Sequence, residues 1–218
     1  MQLYIGNKNY SSWSLRAWLM LEKNKVNYSE VKLPLDTPQF YEALKDITPS
    51  LKVPSIVDNG IHVWDSLAIC EYINDVYLSG QCWPESLAQK AKARAVACEM
   101  HSGFNALRSE MPMNIRAKRK LNISDACKND IARIEQIWSE QMLACRDQGD
   151  WLFGKWSIAD AMFAPVVMRF RTYGIELNPQ ARLYMDKVLS CPVLSKWITE
   201  ALQETEVVQI DEAGEEVS

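Results

Sequence analysis

The chain has 218 residues, 48% of them hydrophobic and 24% charged, with a formal net charge of −4. That is enough for two small domains with ordinary cores, and the acidic balance argues against a nucleic-acid partner. No apolar run reaches the ~18–20 residues of a membrane span, and Met1-Gln2-Leu3-Tyr4 opens straight into strand-like sequence without a secretory leader, so a cytoplasmic protein is expected.

Residues 2–6 read as a short strand, followed by a polar loop from Asn7 to Tyr10. Ser11-Ser12-Trp13-Ser14 then offers helix caps ahead of an apolar run that ends near Leu21. That run is apolar nearly all round, which suits a helix packed on a sheet. Residues 27–33 read as a second strand. Thr37-Pro38 starts a second helix, with Thr as cap and Pro at the first helical position.

The segment Leu51 to Trp64 is the most informative. Two β-branched stretches flank Asn59-Gly60, the preferred hairpin turn, since both positions take positive φ. Asp65-Ser66 caps a third helix running from Leu67 to about Ile73. The order β-α-β-α-β-β-α predicts a small mixed sheet with helices on both faces. After Trp83-Pro84 the pattern turns helical over 86–109, 124–147, 157–172, 181–190 and 193–204. The expected division is a first domain at 1–79, an all-helical one at 86–204, and an acidic tail at 205–218 that frays.

Four constellations could carry chemistry or folding. Val53-Pro54 stands at a strand start, where a cis bond would aim the Val53 backbone outward to pair with an extended peptide; an ordinary trans loop proline is the plain alternative. Asp65-Ser66 at a helix N-terminus suits the carboxylate and ammonium of an α-amino acid, or is simple capping. The Ser11-Ser12-Trp13-Ser14 run, at another helix start, favours an anion, a thiolate included, or again only caps. A thiol of pKa ~8.5 is about 3% ionised at neutral pH, and lowering that by ~2 units takes about 2.7 kcal/mol. One helix end plus one or two good hydrogen bonds suffice for that. Ser157-Ile158-Ala159-Asp160 is a capping box, assigned to folding.

Other groups are less telling. The cysteines Cys70, Cys82, Cys98, Cys127, Cys145 and Cys191 form no C-x-x-C pair, so no zinc site or redox dithiol is implied. His62 and His101 lie far apart with no evident partner, which leaves no metal site or histidine triad. The basic run Arg116-Ala117-Lys118-Arg119-Lys120 reads as a solvated loop or helix end.

Taken in order, Ser-Ser before the first helix, Val53-Pro54, Asp65-Ser66 and the Ser157–Asp160 box resemble the soluble glutathione transferase superfamily over nearly the whole chain, nearest to its zeta- and theta-like, serine-type bacterial members. The resemblance implies a thioredoxin-like N-terminal domain followed by an all-α helical bundle, a homodimer, and glutathione as co-substrate without a metal. Val53, beside Pro54, would pair with the cysteinyl part of glutathione. Asp65 and Ser66 would hold the γ-glutamyl end, and Lys52 the glycyl end. Ser11 or Ser12 would stabilise the thiolate, with Tyr10 as an outside candidate. Trp13 stands where the zeta pattern has a cysteine, which counts against zeta-type isomerisation and against cysteine-dependent classes. The implied activity is glutathione S-transfer to a small hydrophobic electrophile, a detoxification chemistry. Trp13, Met100, Phe104, Leu107 and Met111 are possible walls of its pocket, a spacing equally consistent with core. The rival readings are a non-catalytic carrier, a glutathione-dependent isomerase and an interaction module.

Overall fold

The computed structural model describes residues 1–217. The first part of the chain follows the expected order: β1 (Gln2–Ile5), α1 (Ser12–Lys23), β2 (Ser29–Lys32), α2 (Pro38–Leu44), β3 (Ser55–Asp58), β4 (Ile61–Trp64) and α3 (Ser66–Tyr77). The strands lie in the order β2-β1-β3-β4. β1 and β2 are parallel, joined through α1, while β3 pairs antiparallel with both β1 and β4. Asn59 and Gly60 turn the β3–β4 hairpin with φ of 49° and 81°, the positive values that Asn-Gly supplies. Thr37 caps α2 through its side chain, with Pro38 at the first helical position, as the sequence predicts.

The second part is helical: α4 (Leu87–Ser102), α5 (Asn105–Glu110), α6 (Asp125–Ala144), α7 (Ile158–Tyr173), α8 (Pro179–Leu189) and α9 (Pro192–Ala201). α7 is the pillar of this half. Almost every one of its residues is buried, and Trp138 of α6 packs edge-on to its Phe163 and against Phe170. α1 packs on α3 and on α7, so one continuous apolar core spans both halves.

The helix expected over 86–109 is two helices. α4 stops at Gly103, where a Cβ would meet the Glu99 carbonyl at 2.8 Å, and Phe104 turns the chain left-handed with φ 59°. Arg108 of α5 reaches back across the break: its Nε donates to the Gly103 carbonyl at 2.8 Å and its Nη2 to the carbonyls of Met100 and His101. These are the orphan acceptors that any helix C-terminus leaves behind. The guanidinium is thereby fixed at one spot beside α1.

The Ser157–Asp160 box forms as expected, and the buried Asp160 carboxylate also serves a neighbouring loop. It accepts from Ser157 N–H at 2.8 Å, Ser157 Oγ at 3.0 Å and Leu152 N–H at 3.2 Å. Burial pushes its pKa up to about 6 despite those donors. Asp160→Ala leaves three buried donors unpaired and is expected to cost about 2–4 kcal/mol, read as a lower urea midpoint, with Asp160→Asn losing less.

Two expectations for the later chain are corrected. Residues 205–217 do not fray but lie across the molecule, with a short turn at Gln209–Asp211 and a strand, β6 (Glu215–Glu216). β6 pairs antiparallel with β5 (Arg119–Lys120), inside the basic run that was expected to be solvated. The acidic end and the basic run, separated in sequence, are each other's partners.

Candidate active site

β1, paired on both sides, delivers the loop 6–11 at its C-terminal end, and α1 starts there. Ser11 occupies the N-cap position, yet no serine side chain caps this helix. Ser11 Oγ instead donates to Ser14 Oγ at 2.7 Å, which accepts from Gly6 N–H at 3.2 Å. The capping alternative for the serines is therefore not what forms. Ser12 Oγ accepts from Arg169 Nη2 of α7 at 3.2 Å, which leaves its own hydrogen free to donate. Tyr10 has no such freedom: its hydroxyl donates to Glu212 at 2.5 Å and accepts from Arg116 at 2.8 Å. Burial and the Glu212 carboxylate hold its pKa above the ordinary phenol value.

A cleft of about 380 Å³ opens beside this loop, lined by Trp13, Ser50, Lys52, Val53, Pro54, Trp64, Asp65, Ser66 and His101. The Val53–Pro54 bond is cis. Among the described residues neither the Val53 N–H nor its carbonyl has a hydrogen-bond partner, so both remain available to a ligand. Asp65 is the N-cap of α3, at φ 77°. Its Oδ1 accepts from Leu67 and Ala68 N–H at 2.9 and 3.1 Å. Two of the helix donors expected for a ligand carboxylate are thus taken by Asp65 itself, and the Ser66 N–H and hydroxyl remain.

Asp65 Oδ2 faces His101 Nε2 at 3.0 Å. His101, which the sequence left without a partner, is the site residue that was missed; only the fold brings α4 against the start of α3. Burial holds its pKa below the usual value, opposed by Asp65 and helped by Arg16 and Arg108. Its ring meets Trp13 edge-on, with centroids 5.5 Å apart.

Behind Trp13 lies a second feature without a sequence motif. Arg16 stacks 4.3 Å from the Trp13 ring centroid and Arg108 4.8 Å from it, while Arg169 holds Ser12. Arg16 is 1% exposed and Arg169 7%. Burial and mutual repulsion push Arg16 down to about 9 and Arg169 to about 10. Arg16 Nη1 approaches Ser66 Oγ at 3.4 Å, linking the serine loop to the start of α3, and its buried Nε has no partner among the described residues. None of the three forms an ion pair within 4 Å among the described residues; Arg108 and Arg169 spend donors on backbone carbonyls instead.

The proposed residues thus divide. Lys52, Val53, Pro54, Asp65, Ser66 and Trp13 share one cleft. Ser11 and Ser12 are buried outside its lining, although the next residue, Trp13, is part of it and Arg16 of the same helix approaches Ser66 Oγ. Met100, Phe104, Leu107 and Met111 are buried in the main core and line none of this cleft. A larger cavity, about 830 Å³ between residues 80–90 and residues 148–157, contains none of these groups.

Residues 10–76 match the family model described as glutathione S-transferase, N-terminal domain. A probable maleylacetoacetate isomerase from Caenorhabditis elegans is 25% identical over 178 residues, covering 81% of this chain and 82% of that protein. Among solved structures, a glutathione transferase homologue from Burkholderia, with bound glutathione, superposes with a TM-score of 0.71 at 19% identity over 92% of this chain and 97% of that one. Maleyl pyruvate isomerase, a bacterial zeta-class glutathione S-transferase, gives 0.70 at 20% identity over 95% of this chain and 100% of that one. The matched domain covers the cis-proline turn and the Asp65-Ser66 helix start, so residues 10–76 match the glutathione S-transferase N-terminal domain and the chain shares the glutathione transferase fold along its length.

Proposed function

We propose that the cleft is a glutathione site, and that the chain ionises the glutathione thiol and presents it to a small electrophile as a glutathione S-transferase. The observation that supports this most is the convergence, along one cleft, of an unpaired Val53 backbone and the Asp65-Ser66 helix start. The Val53 N–H and carbonyl suit the cysteinyl peptide group, added as one more strand. Ser66 N–H and Oγ suit the γ-glutamyl carboxylate, Asp65 its ammonium, and Lys52 the glycyl carboxylate. The thiolate is assigned to the start of α1, with the Ser12 hydroxyl as donor and the guanidinium groups of Arg16, Arg108 and Arg169 as a standing positive potential. The thiolate then attacks the electrophile, and an S–C bond forms as the leaving group departs or the acceptor carbon is protonated. The protein contributes positioning and charge stabilisation. A homodimer and a cytoplasmic location go with this reading.

One observation favours a second reading. Arg16 and Arg169 are buried and Arg108 half-buried beside them, with no ion pair to a carboxylate within 4 Å among the described residues, an arrangement suited to an acidic second substrate. Glutathione-dependent isomerisation of an unsaturated acid fits it, since the thiolate adds, the bond rotates and glutathione leaves unchanged. Product analysis separates the two: a conjugate supports transfer, and an isomer with glutathione recovered supports isomerisation.

Calorimetry with reduced glutathione tests the common core. Binding is expected at pH 7, with affinity falling on acidification. The sign follows from His101: neutral at pH 7, it leaves the Asp65 charge to the ligand ammonium. As the pH drops through its depressed pKa, the imidazolium pairs with Asp65 and competes. In His101→Gln the fall should flatten. An absence of binding at pH 7 would remove the glutathione reading, and an equally steep fall in the variant would clear His101 of the pH effect.

A further inference from the structure

The segment after α9 touches the one loop on which the proposed chemistry depends. Glu204, 6% exposed, accepts from the backbone N–H groups of Lys8 and Asn9 at 2.8 and 2.9 Å. Arg116 donates to the carbonyls of Glu204 and Glu206, and also to the Tyr10 hydroxyl at 2.8 Å. Asn9 Oδ1 accepts from Arg116 N–H at 2.8 Å, and Asn9 Nδ2 donates to Asn114 Oδ1 at 2.9 Å. The Glu212 carboxylate gathers the Tyr10 hydroxyl at 2.5 Å, Asn114 Nδ2 at 2.9 Å and the Arg119 guanidinium. The β5–β6 pairing and the Val217 N–H bond to the Lys118 carbonyl, at 3.0 Å, anchor the far end.

This attachment is polar. Val207 is 61% exposed and Ile210 83%, so apolar burial does little to hold the segment. Its hold is a set of charge-assisted hydrogen bonds focused on Asn9 and Tyr10, the residues directly before Ser11 and Ser12. Tyr10 N–H and Ser11 N–H both donate to the Asn7 carbonyl, at 3.1 and 2.8 Å, so a displacement of Tyr10 is passed straight to the serines.

We propose that residues 204–217 are a clamp that sets the position of the Tyr10–Ser12 turn, with Glu212 as its positioning residue. The proposal rests on the glutathione reading above and adds a determinant outside the cleft lining. Glu212 touches neither the cleft lining nor the serines; it acts through Tyr10. Losing it should therefore misplace the thiolate donor without disturbing Lys52, Val53, Asp65 or Ser66.

The test compares wild type with Glu212→Gln, which keeps shape and one acceptor but removes the charge, and with a chain ending at Gln209. Each is measured for glutathione affinity by calorimetry, thiolate absorbance against pH in the binary complex, turnover with chlorodinitrobenzene, and melting temperature. The expected result is a thiol pKa raised by about one unit and kcat reduced roughly tenfold, with affinity within about twofold of wild type. Tyr10→Phe should reproduce the loss, and combining it with Glu212→Gln should add little, because both cut the same link. Unchanged thiolate absorbance in both Glu212→Gln and the shortened chain would overturn the clamp. So would a loss of affinity equal to the loss of kcat, or a loss that tracks the melting temperature, since either makes Glu212 merely structural. A wild type that binds no glutathione would remove the parent reading and the clamp together; a wild type that binds and ionises it, matched by both variants, would remove the clamp alone.

Discussion

Asp65→Asn is expected to weaken glutathione binding roughly 10- to 100-fold while leaving the start of α3 in place. Asp65 has two separable jobs. Oδ1 caps the helix through Leu67 and Ala68, and an asparagine Oδ1 accepts those bonds as well. Oδ2, turned toward His101, carries the charge assigned to the ligand ammonium, and that charge is what the amide lacks. A hydrogen bond to a charged group contributes about 1.5–3 kcal/mol. The Asp65 side chain is 43% exposed, which puts the loss toward the lower end of that range. Asp65→Ala should add about 1 kcal/mol of instability by removing the cap. Calorimetry and urea melts on the two variants read the jobs apart. Wild-type affinity in Asp65→Asn would mean that the ammonium goes elsewhere.

The second large effect falls on the serines, and it is unequal. Ser12→Ala is expected to lower kcat about 30-fold and to raise the pKa of the bound thiol by more than one unit. Ser11→Ala should change either by no more than a few-fold. The asymmetry comes from hydrogen-bond direction. Ser11 already donates its hydrogen to Ser14 within the loop, whereas Ser12 accepts from Arg169 and has its hydrogen left over. A guanidinium bonded to that oxygen also makes the hydroxyl a stronger donor. Thiolate absorbance in the binary complex, followed against pH, gives the shift without any choice of electrophile. A larger effect at Ser11 would reverse the assignment.

The local signals in the sequence were strong enough to locate most of the cleft. Asn59-Gly60, Thr37-Pro38 and Ser157–Asp160 each have one backbone solution, and each is realised. Val53-Pro54 and Asp65-Ser66 were legible for the same reason, being short motifs whose geometry is decided within a few residues. What stayed hidden depends on residues distant in sequence. His101 becomes a site residue only because α4 lies against the start of α3. Arg16, Arg108 and Arg169 come from three separate helices and share no spacing. The apolar spacing of Met100, Phe104 and Leu107 could not separate a pocket wall from core, and burial decides for core in this structure. The break at Gly103 was passed over because the apolar pattern continues through it. The acidic tail looked unstructured because its partners, Arg116 on its backbone carbonyls and Arg119 on the Glu212 carboxylate, lie about 90 residues upstream.

The route of the tail also constrains the order in which the protein can take shape. Lys8 and Asn9 leave the ribosome long before Glu204, for which their amide groups wait, 196 and 195 positions later. During synthesis the sheet and α1 have their strand and helix partners early, while the turn bearing Tyr10 and the serines lacks its closing partners until Glu204 and Glu212 have emerged. The Tyr10–Ser12 turn is therefore the last part of the first domain to settle, and a chain stopped short by translation before Glu204 would present a folded sheet with this turn slack.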